Sequence, residues 1–428
     1  MTHTTATTRR LALGAALTAA ALTIAGCSSP ASPAEGEGSG DGPATLWVRA
    51  ADAPLDEQLV EAWNEENPDR KIELVAIPDA QYVQKFIQAV RSGDVPDIAV
   101  VDIANAQALV TEDLLQDITE QVDGLDYRDE LAPAAVEIAS ADDVVYGVPH
   151  QLDVSLLYYN KELFAAAGLD PEAPPTNYDE LLEAARAITA LGDETYGFYL
   201  AGNCAGCNAY GTLPWVWAND GDILDESGTS ATLDDPAVAE TFDFYQQLWD
   251  EGLIPPSAKD DNGATWVTAF QSNKIGMVSL GSFGIGLFGA DGPDFGVTPI
   301  PGADGGSAAF VGGDVVGIPV GAANAGTAWD FIEWSMSDEV QTDIVAKVGS
   351  LVVRSDLIDN ENTASDPRRQ VANELITLAD VPNTPQYNAI FIDATGPFLQ
   401  LIRSWVFEGQ GSGAIESTQA DFDSRLKG

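Results

Sequence analysis

The chain has 428 residues and carries 67 acids against 19 Lys and Arg, a formal charge of −48 at pH 7. An acidic excess of that size excludes nucleic acid as a partner, because phosphate binding is carried by Lys and Arg. It keeps the body off anionic lipid and favours solubility, but it says nothing about a ligand.

The first residues read as an export signal. Arg9-Arg10 precede an apolar run of roughly 15 residues, shorter than the roughly 20 a membrane span needs. Ala25-Gly26 directly before Cys27 look like a lipobox, so residues 1–26 are expected to be cut away and Cys27 acylated. The arginine pair leaves general and twin-arginine export both open. Loss of residues 1–26 removes two arginines and no acid, which moves the charge from −48 to −50. Residues 27–43 are small and polar and read as a flexible tether between anchor and body. The body, roughly 385 residues, exceeds one ordinary core and predicts two domains.

The body opens as alternating strand and helix. Thr45–Val48 reads as a strand, and Leu55, Leu59 and Trp63 recur at helical spacing before the stop at Asn67-Pro68. Ile72, Leu74 and Ala76 alternate as in a strand, and Val83, Phe86, Ile87 and Val90 define a second helix ending near Gly93. Asp97–Asp102 is an apolar run of the kind found in a sheet covered on both faces. This alternation predicts an α/β fold. Val144–Pro149 and Leu156–Tyr159 are strand-like, with the polar His150–Asp153 between them. A helix capped at Thr176 or Asn177 follows, then a long one from Asp235-Pro236 to Gly252. Trp266–Phe270 is helical and Ile275–Val278 is a strand. Gly-rich connections run from Gly281 to Gly326, and the remainder is mainly helical through Leu426.

Few motifs carry chemistry. Gly284–Gly289 matches G-x-G-x-x-G, but it leads into a turn at Ala290–Pro293 rather than a helix, so no nucleotide or other cofactor is expected. His150 is the only histidine left after export, which leaves no set of residues for a catalytic triad or a metal site. Paired carboxylates of a glycosidase remain an alternative, uninformative among so many acids. With Cys27 taken by the anchor, Cys204 and Cys207 form a C-x-x-C pair in an oxidising compartment. Its flanks read as loop, so a structural disulfide is expected in place of zinc or a redox pair. Trp63, Trp249, Trp329 and Trp334 lie on helical faces and are read as core. Tyr210, Trp215, Trp217 and Phe283 sit in Gly- and Asn-containing surroundings that read as loop. Flat rings beside hydrogen-bonding side chains suit a sugar.

Several segments together resemble the extracellular solute-binding proteins of ABC importers, in the carbohydrate-type branch that includes maltose-binding protein. They are Ala62–Pro68, Ser92–Ile98, Gly147–Asp153, Leu157–Phe164, Ala167–Leu169, Phe270–Met277, Val311–Gly313 and Ala328–Ile332. The resemblance covers nearly the whole body. It implies a two-lobed periplasmic-binding-protein-like fold of type II, with the ligand in the cleft between lobes. One lobe would comprise residues 44–150 plus 300–350, the other 151–299 plus 351–428. Gly296–Pro299 and Ser350–Val353 would be the second and third crossovers. It further implies a non-catalytic receptor for a mono- or oligosaccharide, anchored through Cys27 on the outer face of the bacterial cytoplasmic membrane. The expected partners are permease subunits, and the expected state is a monomer.

Matching positions imply the site. Asp153 would accept sugar hydroxyls, and Tyr210 would stack. Phe283 stands where a tryptophan is common. Asp102, Gly313, Asp314 and Arg354 would add polar contacts, with His150, Trp215 and Trp217 nearby. A disulfide between Cys204 and Cys207 would steady the Tyr210 ring. A binding protein for a polyol phosphate, amino acid or peptide is the alternative; it would call for clustered cations at the cleft.

Overall fold

The computed structural model describes residues 40–288 and 292–428. The export segment, Cys27 and the tether up to residue 39 lie outside the described residues, as do Gly289–Asp291 at the end of the G-x-G-x-x-G match.

Strand β1 (Ala44–Arg49) buries alternate residues Ala44, Leu46 and Val48, the two-residue period of a strand. Helix α1 (Ala53–Glu66) turns Leu55, Leu59 and Trp63 inward, each worth about 1.5–3 kcal/mol of burial. Strand β2 (Ile72–Ile77) lies parallel to β1. Helix α2 (Asp79–Ser92) ends on Gly93 at φ 77°, the left-handed stop that glycine supplies. Strand β3 (Ile98–Asp102) lies parallel on the other side of β1 and feeds α3 (Ile103–Thr111).

Strand β4 (Val148–Asn160) runs unbroken through His150–Asp153, where the sequence suggested an interruption. The backbone there is paired with β8 (Ser307–Gly317), Gly312 opposite Asp153 and Gly313 opposite Leu152, so the polar residues sit in a satisfied ladder.

Between β4 and β8 lie α4 (Tyr178–Thr189, capped by Asn177), β5 (Tyr196–Tyr199), α5 (Ala205–Trp217), α6 (Pro236–Asp250), β6 (Ile275–Gly281) and β7 (Phe295–Thr298). The stretch expected as Gly-rich connections therefore contains strands β7 and β8 and a short pairing of Ile300–Pro301 with the start of β8. Helix α7 (Ala325–Ser335) packs Phe331 and Trp334 on Trp63, at 5.6 and 5.5 Å between ring centres.

The strand path is β2-β1-β3-β8-β4-β6-β5. Residues 148–154 of β4 pair with β8, whereas residues 155–160 pair with β6 and β7. One strand thus passes from the first group of strands to the second. Asp153 stands two residues before the change. Leu351, in the segment expected as the third crossover, bridges Leu152 of the same strand.

Candidate functional site

A cavity of about 300 Å³ opens where β4 changes partners. Its walls come from the start of α3 (Asp102, Ile103, Ala104), the glycines of β8, helix α5, the turn after β6, and the C-terminal segment around Tyr387.

Asp153 is its polar hub. Its Oδ2 accepts the phenolic hydroxyl of Tyr210 at 2.5 Å, and its Oδ1 accepts the Phe283 amide at 3.1 Å and the Ser282 hydroxyl. Burial pushes the carboxyl above its usual range, and the hydrogen bonds from Ser282, Tyr210 and Phe283 oppose that rise. Three donors thus fix the carboxylate.

Tyr210 sits in α5, which the sequence had read as loop. Gly206, Gly211 and Pro214 hide this helix from propensity, and Pro214 removes the N–H that would bond the Tyr210 carbonyl. Burial of Ala209, Leu213, Trp215 and Val216 compensates. Cys204 caps the helix and is joined to Cys207 by a disulfide. Gly206 between them lines the cavity, and Tyr210 follows Cys207 by three residues. A Cβ on Gly263 would sit 2.9 Å from both sulfurs, so glycine there lets the chain close over the bridge.

The Tyr210 ring lies over Gly312, where a Cβ would come within 3.0 Å of it. Gly313 has φ 98°, and a Cβ there would meet the Gln151 carbonyl at 2.0 Å. Only glycine fits this floor. Phe283 is 43% exposed at the mouth and meets Trp266 edge-on at 6.5 Å. Phe310 backs the site, touching Tyr210 at 5.1 Å and the half-buried Trp217 at 5.6 Å. Trp217 itself is not among the lining residues.

Asp102 caps α3, its Oδ1 accepting the Ala104 amide at 2.7 Å and its Oδ2 an Arg49 N–H. Beside the mouth, Asn388 donates to Asn105 at 2.7 Å and ties α3 to the C-terminal segment. Among the described residues lining the cavity are two carboxylates, five aromatic rings and no Lys, Arg or His.

Of the residues expected at the site, the structure brings together Asp102, Asp153, Tyr210, Phe283 and Gly313. Besides Trp217, four others lie elsewhere. Trp215 is wholly buried, its indole N–H donating to the Gly211 carbonyl and Ser279, so it is core. His150 is buried against Asp56, Nε2 to Oδ1 at 2.7 Å, because a polar group in a covered strand needs a partner. Arg354 is consumed by Asp338 and Asp356 at 2.7 and 2.6 Å and lies over the Tyr127 ring at 3.9 Å. Asp314 is fully buried behind the glycines and paired with Arg49 at 2.8 Å.

The sequence reading missed Trp266, Phe310, Tyr387 and Ile392. A signal was present for two of them. Phe310 stands two residues before Gly312, and Tyr387 closes the turn-rich Pro382–Gln386 segment.

Residues 58–371 match the family described as bacterial extracellular solute-binding protein. A binding protein of Brucella abortus is 26% identical over 88% of this chain and 91% of its own. The maltotriose-binding protein of Pyrococcus abyssi is 23% identical over 85% of this chain and 78% of its own. The crystal structure of the cyclic α-maltosyl-1,6-maltose binding protein from Arthrobacter globiformis superposes with a TM-score of 0.80 at 24% identity. It covers 90% of this chain and all of that one, and it shares the two-lobed fold.

Proposed function

Since the chain belongs to the bacterial extracellular solute-binding protein family, we propose that it is the receptor of an ABC importer. In this reading it captures a mono- or small oligosaccharide between its lobes and hands it to a permease, without chemistry. One observation carries the sugar reading: an aromatic cavity whose charged lining is carboxylate alone. Ring faces stack on pyranose C–H surfaces, and fixed carboxylates accept hydroxyl protons. A phosphate or carboxylate ligand would bring its own negative charge against Asp153 and Asp102 with no lining cation to receive it. That argues against the polyol-phosphate and amino-acid alternatives. The volume, at the low end of the range of about 300–1,000 Å³ for small-molecule sites, suits one or two rings.

Lobe boundaries near residues 150, 300 and 350 accord with the change of partners along β4 and the bridge from Leu152 to Leu351. A ligand touching both lobes favours the closed state by its differential affinity. Acylation at Cys27 would hold this body on the outer face of the membrane while it works. Radiolabelled palmitate incorporated by the wild type and absent from Cys27→Ala is the result expected of that anchor.

The function is tested by thermal shift over maltose, maltotriose, mannobiose and tagatose, with sn-glycerol-3-phosphate and glutamate as anionic controls. A saccharide at 100 times its Kd stabilises by about 2.7 kcal/mol. Stabilisation by an anion and by no saccharide would contradict the reading.

A further inference from the structure

We propose that Arg49, which lies outside the cavity, is the positioning residue that sets ligand affinity by holding two of its walls at once. The inference rests on the reading of this cavity as the ligand site.

Arg49 ends β1, and its guanidinium reaches three carboxylates. Nη1 donates to Asp102, and Nη2 donates to Asp314 at 2.8 Å and pairs with Asp52 at 2.9 Å. Asp102 and Asp314 face each other across the β3–β8 ladder, and Arg49 ties that pair together. Each acid controls a different wall. Asp102 lines the cavity directly at the start of α3. Asp314 immediately follows Gly312-Gly313, the floor beneath Tyr210, and the register of the β4–β8 ladder shifts just after it.

The carboxylate torsion of an aspartate is broad and roughly two-fold, so capping by Ala104 alone does not fix both Asp102 oxygens. Arg49 supplies the second restraint. Its side chain is about as exposed as that of Asp102, whereas Asp314 is sealed. A buried carboxylate without a partner rearranges or takes up a proton, and either response would shift the glycine floor. The other acids around the cluster are Asp56, which is hydrogen-bonded to His150, and Asp79. Lysine cannot reproduce this reach, since it offers a point charge in place of a planar fork.

The experiment compares the wild type with Arg49→Met, Arg49→Lys, Asp102→Asn and the Arg49→Met/Asp102→Asn pair. Affinity is measured by calorimetry with whichever panel saccharide (maltose, maltotriose, mannobiose or tagatose) binds the wild type most tightly. Amide hydrogen exchange at Ala104 and Gly312–Asp314 is followed without ligand. Arg49→Met is expected to weaken binding about tenfold or more, as loss of a charge-assisted hydrogen bond does. Arg49→Lys should recover part of that loss, and the pair should bind no worse than its weaker single member. Exchange at Ala104 and Gly312–Asp314 should quicken. Arg49→Met/Asp314→Asn, which removes the orphaned buried acid, carries the same measurements if Arg49→Met fails to fold. Wild-type affinity in the methionine variant, losses that multiply in the pair, or unchanged exchange at those amides would each overturn the proposal. If no saccharide binds the wild type, the ligand reading fails, and the exchange comparison alone decides the role of Arg49.

Discussion

Tyr210 donates its hydroxyl to Asp153 across the junction between helix α5 and strand β4, so an aromatic ring and a carboxylate of the cavity are positioned by one bond. Asp153→Asn keeps the shape and removes the charge-assisted acceptor, and Tyr210→Phe removes the tie alone. Hydrogen bonds to charged groups are worth about 1.5–3 kcal/mol. Calorimetry should therefore show saccharide affinity falling about 10- to 100-fold in the first variant and by less in the second.

The Asp153 carboxyl also gives a pH signature. Burial raises its pKa in the folded chain, while the unfolded chain titrates near the ordinary value of about 3.9. The native state then holds the proton more tightly, so this group's contribution to stability falls as pH rises from about 4 through the raised value and is level above it. Binding runs the other way, because the ionised form accepts the ligand's hydroxyls, and affinity should weaken on acidification through the same window. Melting curves and titrations of wild type and Asp153→Asn from pH 4 to 7 check both signs; the variant should lack this component in each.

Cys204 and Cys207 close a very short loop at the head of the helix that carries Tyr210. Chain-entropy reasoning gives about 2 kcal/mol for so short a loop. Replacing both cysteines by serine should lower the melting temperature and weaken saccharide binding a few-fold by loosening Gly206 and Tyr210. Unchanged melting together with unchanged affinity would show that the bridge does not steady the ring.

Trp215 and Phe283 separate core from site. Trp215 is wholly buried, so Trp215→Ala should cost about 3–5 kcal/mol of stability and leave the affinity of the folded fraction close to wild type. Phe283, 43% exposed at the mouth, should behave oppositely on truncation to alanine: reduced affinity, nearly unchanged denaturation. Urea unfolding and calorimetry on both variants read the contrast.

The alternating first elements were legible because each shows one clear period, as Leu55, Leu59 and Trp63 do on α1. Asp153 was legible only through resemblance, since nothing local marks an aspartate in a polar tetrapeptide as a hub, whereas the Tyr210 ring already stood out by its Gly- and Asn-containing surroundings. Helix α5 was not legible: glycine and proline argue for a loop, and only the packing of Trp215 and its neighbours overrides them. That misreading also drew Trp215 into the expected site. Arg354 and His150 were drawn there by their positions in the resemblance, yet their partners, Asp338 and Asp56, are named only by the fold. Strand β8 was hidden by Gly312 and Gly313, which serve the cavity floor at the expense of strand propensity.

Calorimetric titration of the saccharide panel into wild type and Asp153→Asn, side by side, asks whether this cavity is where a sugar binds. As a saccharide receptor using this cavity, the wild type should bind one panel saccharide with a Kd near 1 μM, about −8 kcal/mol, and the variant should lose at least about tenfold. Saccharide binding indifferent to Asp153, or an anionic solute that binds where no saccharide does, would contradict that role.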